Sequence, residues 1–264
     1  MNIDANFHTH TYRCFHGSGN VPDFCREARA CGMTVLGFSE HVPFPDGRYR
    51  ETRMPYGDLP AYRADIEAAK PDFPDLRILA GLELEYEPDF IEEAYPALKE
   101  RLDLDYFIGG VHFIYDDDAA HTRRWFHPDM TPHELDLFVR SNIRFMESGL
   151  IVCLAHPDIS LVGTAAWNDD LEAGYRDLIQ ASIDLDIPLE INANGLRKGP
   201  AAHYPWPPVW RLAAELGAKC AAGMDAHHPA HIADRIPELL AFAAETGVTF
   251  VNDKITEKIL AAEK

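Results

Sequence analysis

"RILAGLELEY", Arg77–Tyr86, is apolar for most of its length and then carries two acids, Glu83 and Glu85, near its C-terminal end. An apolar run this short suits a strand covered on both faces, as parallel strands are when helices pack against them. Residues i and i+2 of a strand point to the same side, so the two carboxylates share a face.

Six further runs in the chain have the same character: "NIDANFH", "TVLGFSEH", "DYFIGGVHFI", "LIVCLAHPD", "IPLEINANG" and "AKCAAGMDAH". Between them lie stretches with apolar residues at three- and four-residue intervals, including 23–31, 59–69, 89–102, 132–148, 171–185, 209–216 and 232–245. "VTFVND" near the end reads as a last short strand. Seven strand–helix units with no break in composition favour one closed α/β barrel over two domains, with a doubly wound open sheet as the alternative. The expectation is a single domain over residues 1–264.

The unusual polar residues recur at the C-terminal ends of these strands. His8 and His10 end the first, His41 the second, and Glu83 and Glu85 the third; His112 follows the fourth, His156 the fifth, and Asp225 with His227 the seventh. In an α/β barrel those ends meet at one face, where functional groups are placed. H-x-H (His8/His10) and D-x-H (Asp225/His227) each aim two donors at one cation, and mixed imidazole and carboxylate ligands suit zinc, manganese or iron(II). A single histidine at a strand end is usually a hydrogen-bonded structural residue, but the same placement on six strands is not explained that way. Seven histidines with two acids exceed the needs of one tetrahedral ion, which points to a multinuclear centre. His121, His127, His133, His203, His228 and His231 lie in loops or helix starts and are expected to be non-ligands, and Asp116–Asp118 is expected to be a solvated loop.

Composition narrows the function classes. The formal charge of −19 opposes general affinity for nucleic acid but tolerates an anionic substrate where bound metal makes a pocket locally positive. No apolar run approaches the roughly 18–20 residues of a membrane span, and "MNIDANFH" has neither the basic nor the apolar region of a signal peptide. Five cysteines without a C-x-x-C pair argue against a disulfide framework or a thiolate zinc finger, so a cytoplasmic protein with reduced thiols is expected. Cys14 stands apart because it lies between two of the clustered histidines.

With these residues in view, the chain resembles the polymerase-and-histidinol-phosphatase (PHP) superfamily. "HTHTYRCFHG" is similar to its first motif, and "FSEH", "GLELEY", "GGVHFI", "LAHPD" and "GMDAHHPAHI" follow in the family's order, covering residue 6 to about residue 235. Within the superfamily the chain is most similar to the histidinol-phosphate phosphatases, which have histidine, a cysteine and H-G in the first motif and a segment like "EINANGLRKG". The resemblance implies a distorted (β/α)7 barrel and three divalent metal ions, zinc, manganese or iron. Carried over, His8, His10, Glu83 and Asp225 hold the first ion, and Glu83 bridges to a second bound by His112 and His156; His16, His41 and His227 hold the third. Glu83, Asp225 and His227 are therefore the catalytic candidates. Glu85 is assigned to support of the ligands or to the substrate pocket, and Arg197 in "NGLRKG" to a phosphate contact.

The implied reaction is hydrolysis of L-histidinol phosphate by a hydroxide held between the first two ions, attacking phosphorus in line. Water or Asp158 in "AHPD" would protonate the leaving group. The partner is a small-molecule phosphate ester, whose cationic amine Glu85 or Asp116–Asp118 would suit. Other small phosphomonoesters, nucleotides or oligonucleotide ends are the alternative substrates. An amidohydrolase would place a bridging lysine on the fourth strand, and "DYFIGGVHFI" has none. A metal-binding module with a dead site is opposed by the complete ligand set. No polymerase is attached in this chain, and association with a separate one stays open.

Overall fold

The structure is a computed structural model describing residues 3–116, 119–124, 130–162, 164, 166–199, 202 and 204–262. Four strands, β1 (Ala5–Asn6), β2 (Val35–His41), β3 (Arg77–Glu85) and β4 (Tyr106–Gly110), pair in parallel and in chain order. The chain then leaves the wall in an antiparallel hairpin of β5 (Phe113–Asp116) and β6 (Ala119–Arg124). It returns through β7 (Leu189–Asn192) and β8 (Cys220–Gly223), a second parallel pair.

Single bridges join the two pieces into a ring. Leu154, all that remains of the expected fifth strand, pairs with Gly109 on one side and Leu189 on the other. At the opposite seam Thr9 pairs with Ala226: the His10 N–H donates to Ala226 O at 2.8 Å and the Ala226 N–H to His8 O at 3.2 Å. Lower on this seam the strands part, and Asn252 fills the gap. Its Nδ2 donates to Ala5 O and Ala222 O, both at 2.9 Å, and its Oδ1 accepts from Ala222 N–H at 2.9 Å. The seven staves and the ring order agree with the expected barrel, with distortion concentrated in the fifth stave and the closing seam.

Ten helices among the described residues surround the ring: α1 (Val21–Ala30), α2 (Leu59–Ala69), α3 (Pro88–Ile91), α4 (Ala94–Leu102), α5 (Pro132–Glu147), α6 (Asp169–Asp184), α7 (Ala193–Lys198), α8 (Pro207–Leu216), α9 (Ile236–Thr246) and α10 (Asn252–Ala262). Asn20 with Asp23 and Thr131 with Glu134 form reciprocal caps that satisfy the first amides of α1 and α5.

Alternation along the strands explains where the site forms. On β3, Ile78, Ala80, Leu82 and Leu84 join the large core under the helices, while Leu79 joins a second cluster inside the ring with Phe7, Val35, Tyr106 and Ile108. The inward series Leu79, Gly81, Glu83, Glu85 therefore passes from apolar to acidic towards the strand's C-terminal end. Ile255 and Ile259 of α10 join the inner apolar cluster at the other end of the ring. The acids are buried in the ring and the apolar layer below them keeps water out.

Several expectations changed. The 89–102 helix is two, α3 and α4, separated at 92–93. "DYFIGGVHFI" is not one strand: it stops at Gly110, and His112 lies in the bend before the hairpin. "VTFVND" contributes only the bridge of Phe250 to Cys220, and its last residues start α10. "NANGLRKG" holds the unforeseen α7. Asp116 and His121 belong to the hairpin backbone, whereas Asp117, Asp118, His127 and His203 lie outside the described residues. Among the described residues no helix is long and apolar enough to cross a membrane. The five cysteines are all free thiols.

Candidate metal centre

The strand ends bring His8, His10, Glu83 and Asp225 together inside the ring, all buried. His8 Nε2 stands 3.5 Å from Glu83 Oε2 and 3.5 Å from Asp225 Oδ1, and His10 Nε2 stands 3.5 Å and 3.4 Å from the same two oxygens. Four donors about 2.1 Å from one ion in a tetrahedron are themselves about 3.4 Å apart, so the spacing is that of a ligand cage. His8 Nε2 and His10 Nε2 are buried and have no hydrogen-bond partner. Polar atoms left so are costly unless a ligand satisfies them.

Glu83 faces two ways. Its Oε2 meets the His8/His10 group and lies 2.6 Å from His41 Nδ1, while its Oε1 lies 2.9 Å from His156 Nε2 and 3.6 Å from His112 Nε2. A carboxylate with its oxygens in different imidazole groups suits a bridge between two cations. Gly110 makes room for it, since a Cβ there would sit 2.6 Å from Glu83 Oε1.

The third expected group, His16, His41 and His227, also converges. Ring centroids are 5.5 Å apart for His16–His41, 4.7 Å for His16–His227 and 6.1 Å for His41–His227, with His16 Nε2 2.9 Å from His227 Nε2. Donor atoms lie within 4.8 Å of one another in His10/His41/His227 and in Cys14/His16/His227, so the groups share members and Cys14 comes within ligand range. The buried Cys14 thiol nevertheless donates to Thr11 O at 3.1 Å, and burial and then the Glu40 charge push it up to about 12.

Other polar groups point these side chains at the centre. His8 Nδ1 bonds Glu190 Oε1 at 2.7 Å and His112 Nδ1 bonds Glu85 Oε2 at 2.9 Å, leaving each Nε2 directed inward. His16 Nδ1 bonds Cys14 O at 2.7 Å and His227 Nδ1 bonds Asp225 O at 3.1 Å. Asp225 Oδ2 accepts from Asn192 Nδ2 at 3.2 Å and Asn194 Nδ2 at 3.1 Å, which frees Oδ1 for the imidazoles. Glu190 also accepts from the His156 N–H at 3.0 Å and Asn192 Nδ2 at 2.8 Å. His156 and Asp225 hold φ of 31° and 44°, a costly conformation for residues with a side chain, fixed by these bonds.

The electrostatics follow. Burial opposes charge on Glu83, yet the imidazoles of His41, His8 and His112 hold it well below the usual carboxylate range. Asp225 is likewise held low, against burial, chiefly by His8 and His227. Burial opposes protonation of His10, but the nearby carboxylates of Asp225, 3.4 Å away, and Glu40, 3.8 Å away, push it up to about 9. His227 drops to about 3, from burial and then the His10 charge.

A cavity of about 320 Å³ opens onto the centre, walled by His16, His41, His112, His156, Asp225 and His227 on one side. Thr52, Arg53, Phe113, Ile159, Asn194, Lys198 and Tyr204 complete it.

Two expectations, for Arg197 and Asp158, need correction, and the one for Glu85 narrows to one of its two alternatives. Arg197 does not line the cavity. Its Nε and Nη2 bond Asp234 at 3.1 Å and 2.8 Å, its Nη1 the Met224 carbonyl at 2.7 Å and its Nη2 the His231 carbonyl at 2.7 Å. Its donors staple the 224–234 loop and leave no fork for phosphate. Glu85, expected either to support the ligands or to line the substrate pocket, takes the first place: its oxygens accept from the His112 N–H at 2.6 Å, His112 Nδ1 and Arg53 Nη2 at 3.1 Å, so it supports a candidate ligand. Asp158, considered for the leaving-group proton, is fully buried and off the cavity wall, with Oδ2 bonded to Trp206 N–H and Trp210 Nε1, both at 2.8 Å. Burial pushes it up to about 6.

Glu190, Asn192, Asn194, Arg53 and Lys198 were missed. The first three lie in or just after a short apolar strand whose acid and amides carry no repeating signature, although Glu190 shares its face with Asn192 as i and i+2. His228 Nδ1 caps the following turn at Ala230 N–H.

A family model described as the PHP domain matches residues 6–194. A Deinococcus radiodurans protein named "Probable histidinol-phosphatase" is 29% identical over 262 residues, covering 94% of this chain and 96% of that relative. A Listeria monocytogenes protein solved as a candidate histidinol phosphatase superposes with a TM-score of 0.73 at 19% identity, over 89% of this chain and 99% of that one. A Lactococcus lactis histidinol phosphate phosphatase solved with zinc, L-histidinol and phosphate gives a TM-score of 0.68 at 16% identity, over 94% and 95%. At these identities the two structures speak to the fold.

Proposed function

The chain belongs to the PHP family, and from that premise we propose that it is a metal-dependent phosphatase hydrolysing L-histidinol phosphate to L-histidinol and inorganic phosphate, in histidine biosynthesis. The observation that carries the reading is the set of four donors from His8, His10, Glu83 and Asp225 at the spacing of a tetrahedral cage, the two imidazole nitrogens buried without hydrogen-bond partners. In this proposal they hold one ion, His112 and His156 share Glu83 with a second, and His16, His41 and His227 hold a third. The nitrogen–oxygen donor set suits zinc, manganese or iron.

Bound divalent ions supply a water acidified towards neutral pH and a charge to match the phosphoryl oxygens. The protein's own residues keep that chemistry in place. Glu83 and Asp225 stay ionised because imidazoles surround them. Glu190 and Glu85 fix the rings of His8 and His112. Phe113, Ile159 and Tyr204 give the cavity apolar walls beside the centre, and Asn194 supplies an amide. A cavity of about 320 Å³ has room for a small ester. The relatives' names support the substrate, and five free thiols support a cytoplasmic setting. Residues 1–264 are proposed to act as one domain, because Asp225 and His227, beyond the 6–194 match, complete the ligand cage.

The test is kcat/KM for L-histidinol phosphate against a panel of phosphomonoesters and phosphodiesters, on protein whose metal is quantified by elemental analysis. A value above ~10⁴ M⁻¹s⁻¹, a hundredfold over the panel, is expected. Weak turnover of histidinol phosphate beside fast hydrolysis of another ester would move the substrate to that ester.

A further inference from the structure

The residue first expected to hold phosphate, Arg197, is committed elsewhere, yet an enzyme for a phosphate ester needs cationic donors at its cavity. Among the described residues two cations reach the cavity wall, Arg53 and Lys198, and they differ in preparation. Lys198 makes one bond, to the Tyr204 hydroxyl at 2.6 Å. Arg53 is 5% exposed and held at three points: Nε donates to Val42 O at 3.0 Å, Nη1 to Thr52 Oγ1 at 3.2 Å and Nη2 to Glu85 Oε2 at 3.1 Å. The guanidinium lies 5.3 Å from the Tyr49 ring centroid and 5.7 Å from that of Phe44, so aromatic rings fix it as well. These bonds use three of the five N–H groups of an arginine and leave donors for an oxyanion.

We propose that Arg53 is the phosphate-binding cation of this site, positioned by the carboxylate of Glu85 that also positions His112. The assignment rests on the phosphatase reading above and deepens it. Glu85 Oε2 lies 3.1 Å from Arg53 Nη2 and 2.9 Å from His112 Nδ1, so one oxygen places the cation and a metal-ligand candidate in fixed relation. The cation is thus one side chain away from His112, whose Nε2 faces Glu83. A planar guanidinium held in this way presents paired donors to two phosphoryl oxygens, which the single ammonium of Lys198 cannot do.

The experiment is calorimetric titration of the metal-loaded protein with inorganic phosphate, for wild type, R53M, R53K and K198M, with metal content measured in each. R53M is expected to weaken phosphate about 10- to 100-fold at unchanged metal content, the loss of a charge-assisted pair of bonds, and R53K about 3- to 10-fold. K198M should weaken it less than R53M. Phosphate affinity of R53M within twofold of wild type overturns the assignment, as does a larger loss in K198M. If R53M loses its metal or its fold, R53K carries the test, with the same twofold limit. A wild type that binds no phosphate overturns it too. The phosphatase reading fails separately, when metal-loaded wild type binds phosphate in the Arg53-dependent way yet hydrolyses no phosphomonoester.

Discussion

Glu190 shows how much of the centre depends on residues that touch no expected ion. Its two oxygens accept from His8 Nδ1, the His156 N–H and Asn192 Nδ2, so it holds two candidate ligands at once. E190Q keeps the shape but removes the charge that favours the inward Nε2 of His8. We expect zinc affinity to fall about 10- to 100-fold, as for other carboxylate–histidine pairs, read by competition with a chelator of known affinity. Unchanged affinity would mean that packing alone orients His8. Arg197 makes the opposite case. R197M should lower the melting temperature by several degrees, because the 224–234 loop loses its staple, and leave phosphate affinity within twofold of wild type. A tenfold loss of phosphate affinity would restore it as a substrate contact. At this scale the sequence was legible where a residue type is rare for its setting: histidines and acids at strand ends stand out. It was not legible for Arg53 and Arg197, because nothing in an arginine's neighbours along the chain says whether a loop or a cavity will take its donors.

The strands explain why those residues converge. β2 and β3 were plain in the sequence, since seven and nine residues with apolar outward faces have few other packings. The fifth stave was not, because Leu154 is its one bridged residue among those described and His156, two residues on, already takes positive φ. The fourth was misread at its end, where the apolar run continues through Val111 although the wall has ended. Glycines are the hidden term. A Cβ on Gly223 would lie 1.7 Å from Glu190 Oε1, against a strand that cannot retreat because it is paired with β7. Gly223→Ala is therefore expected to cost about 1–3 kcal/mol in a urea titration, as overpacked cores do, and to weaken zinc binding by displacing Glu190. Stability lost with zinc affinity intact would mean that Glu190 finds another route to His8.

For the whole molecule, the centre gathers five buried carboxylates, Glu40, Glu83, Glu85, Glu190 and Asp225, in a chain that already has a formal charge of −19. Bound cations should therefore be a large part of its stability. An ion at a thousandfold over its Kd contributes about 4 kcal/mol, on the order of 10 °C in melting temperature for a domain of this size. The size of that gain should depend on pH, and His10 sets the sign. Its pKa rises on folding from 6.5 to about 9, so without metal its paired imidazolium stabilises the fold fully below pH 6.5 and loses that effect as pH rises through about 9. In the proposed centre metal must displace this proton, and one on His8, which burial opposes but Glu190, Asp225 and Glu83 hold well above its ordinary value, at a cost that falls as pH rises. Calorimetric melting of metal-loaded and chelator-stripped protein should thus show a larger gap at pH 9 than at pH 6.5. Binding at pH 7.5 should release protons, detectable as a dependence of the titration enthalpy on the buffer's ionisation heat. A gap that narrows with rising pH, or uptake without proton release, would mean that His10 is already neutral when the ion arrives. Its attraction to Asp225 and Glu40 would then not be what holds the empty cage together.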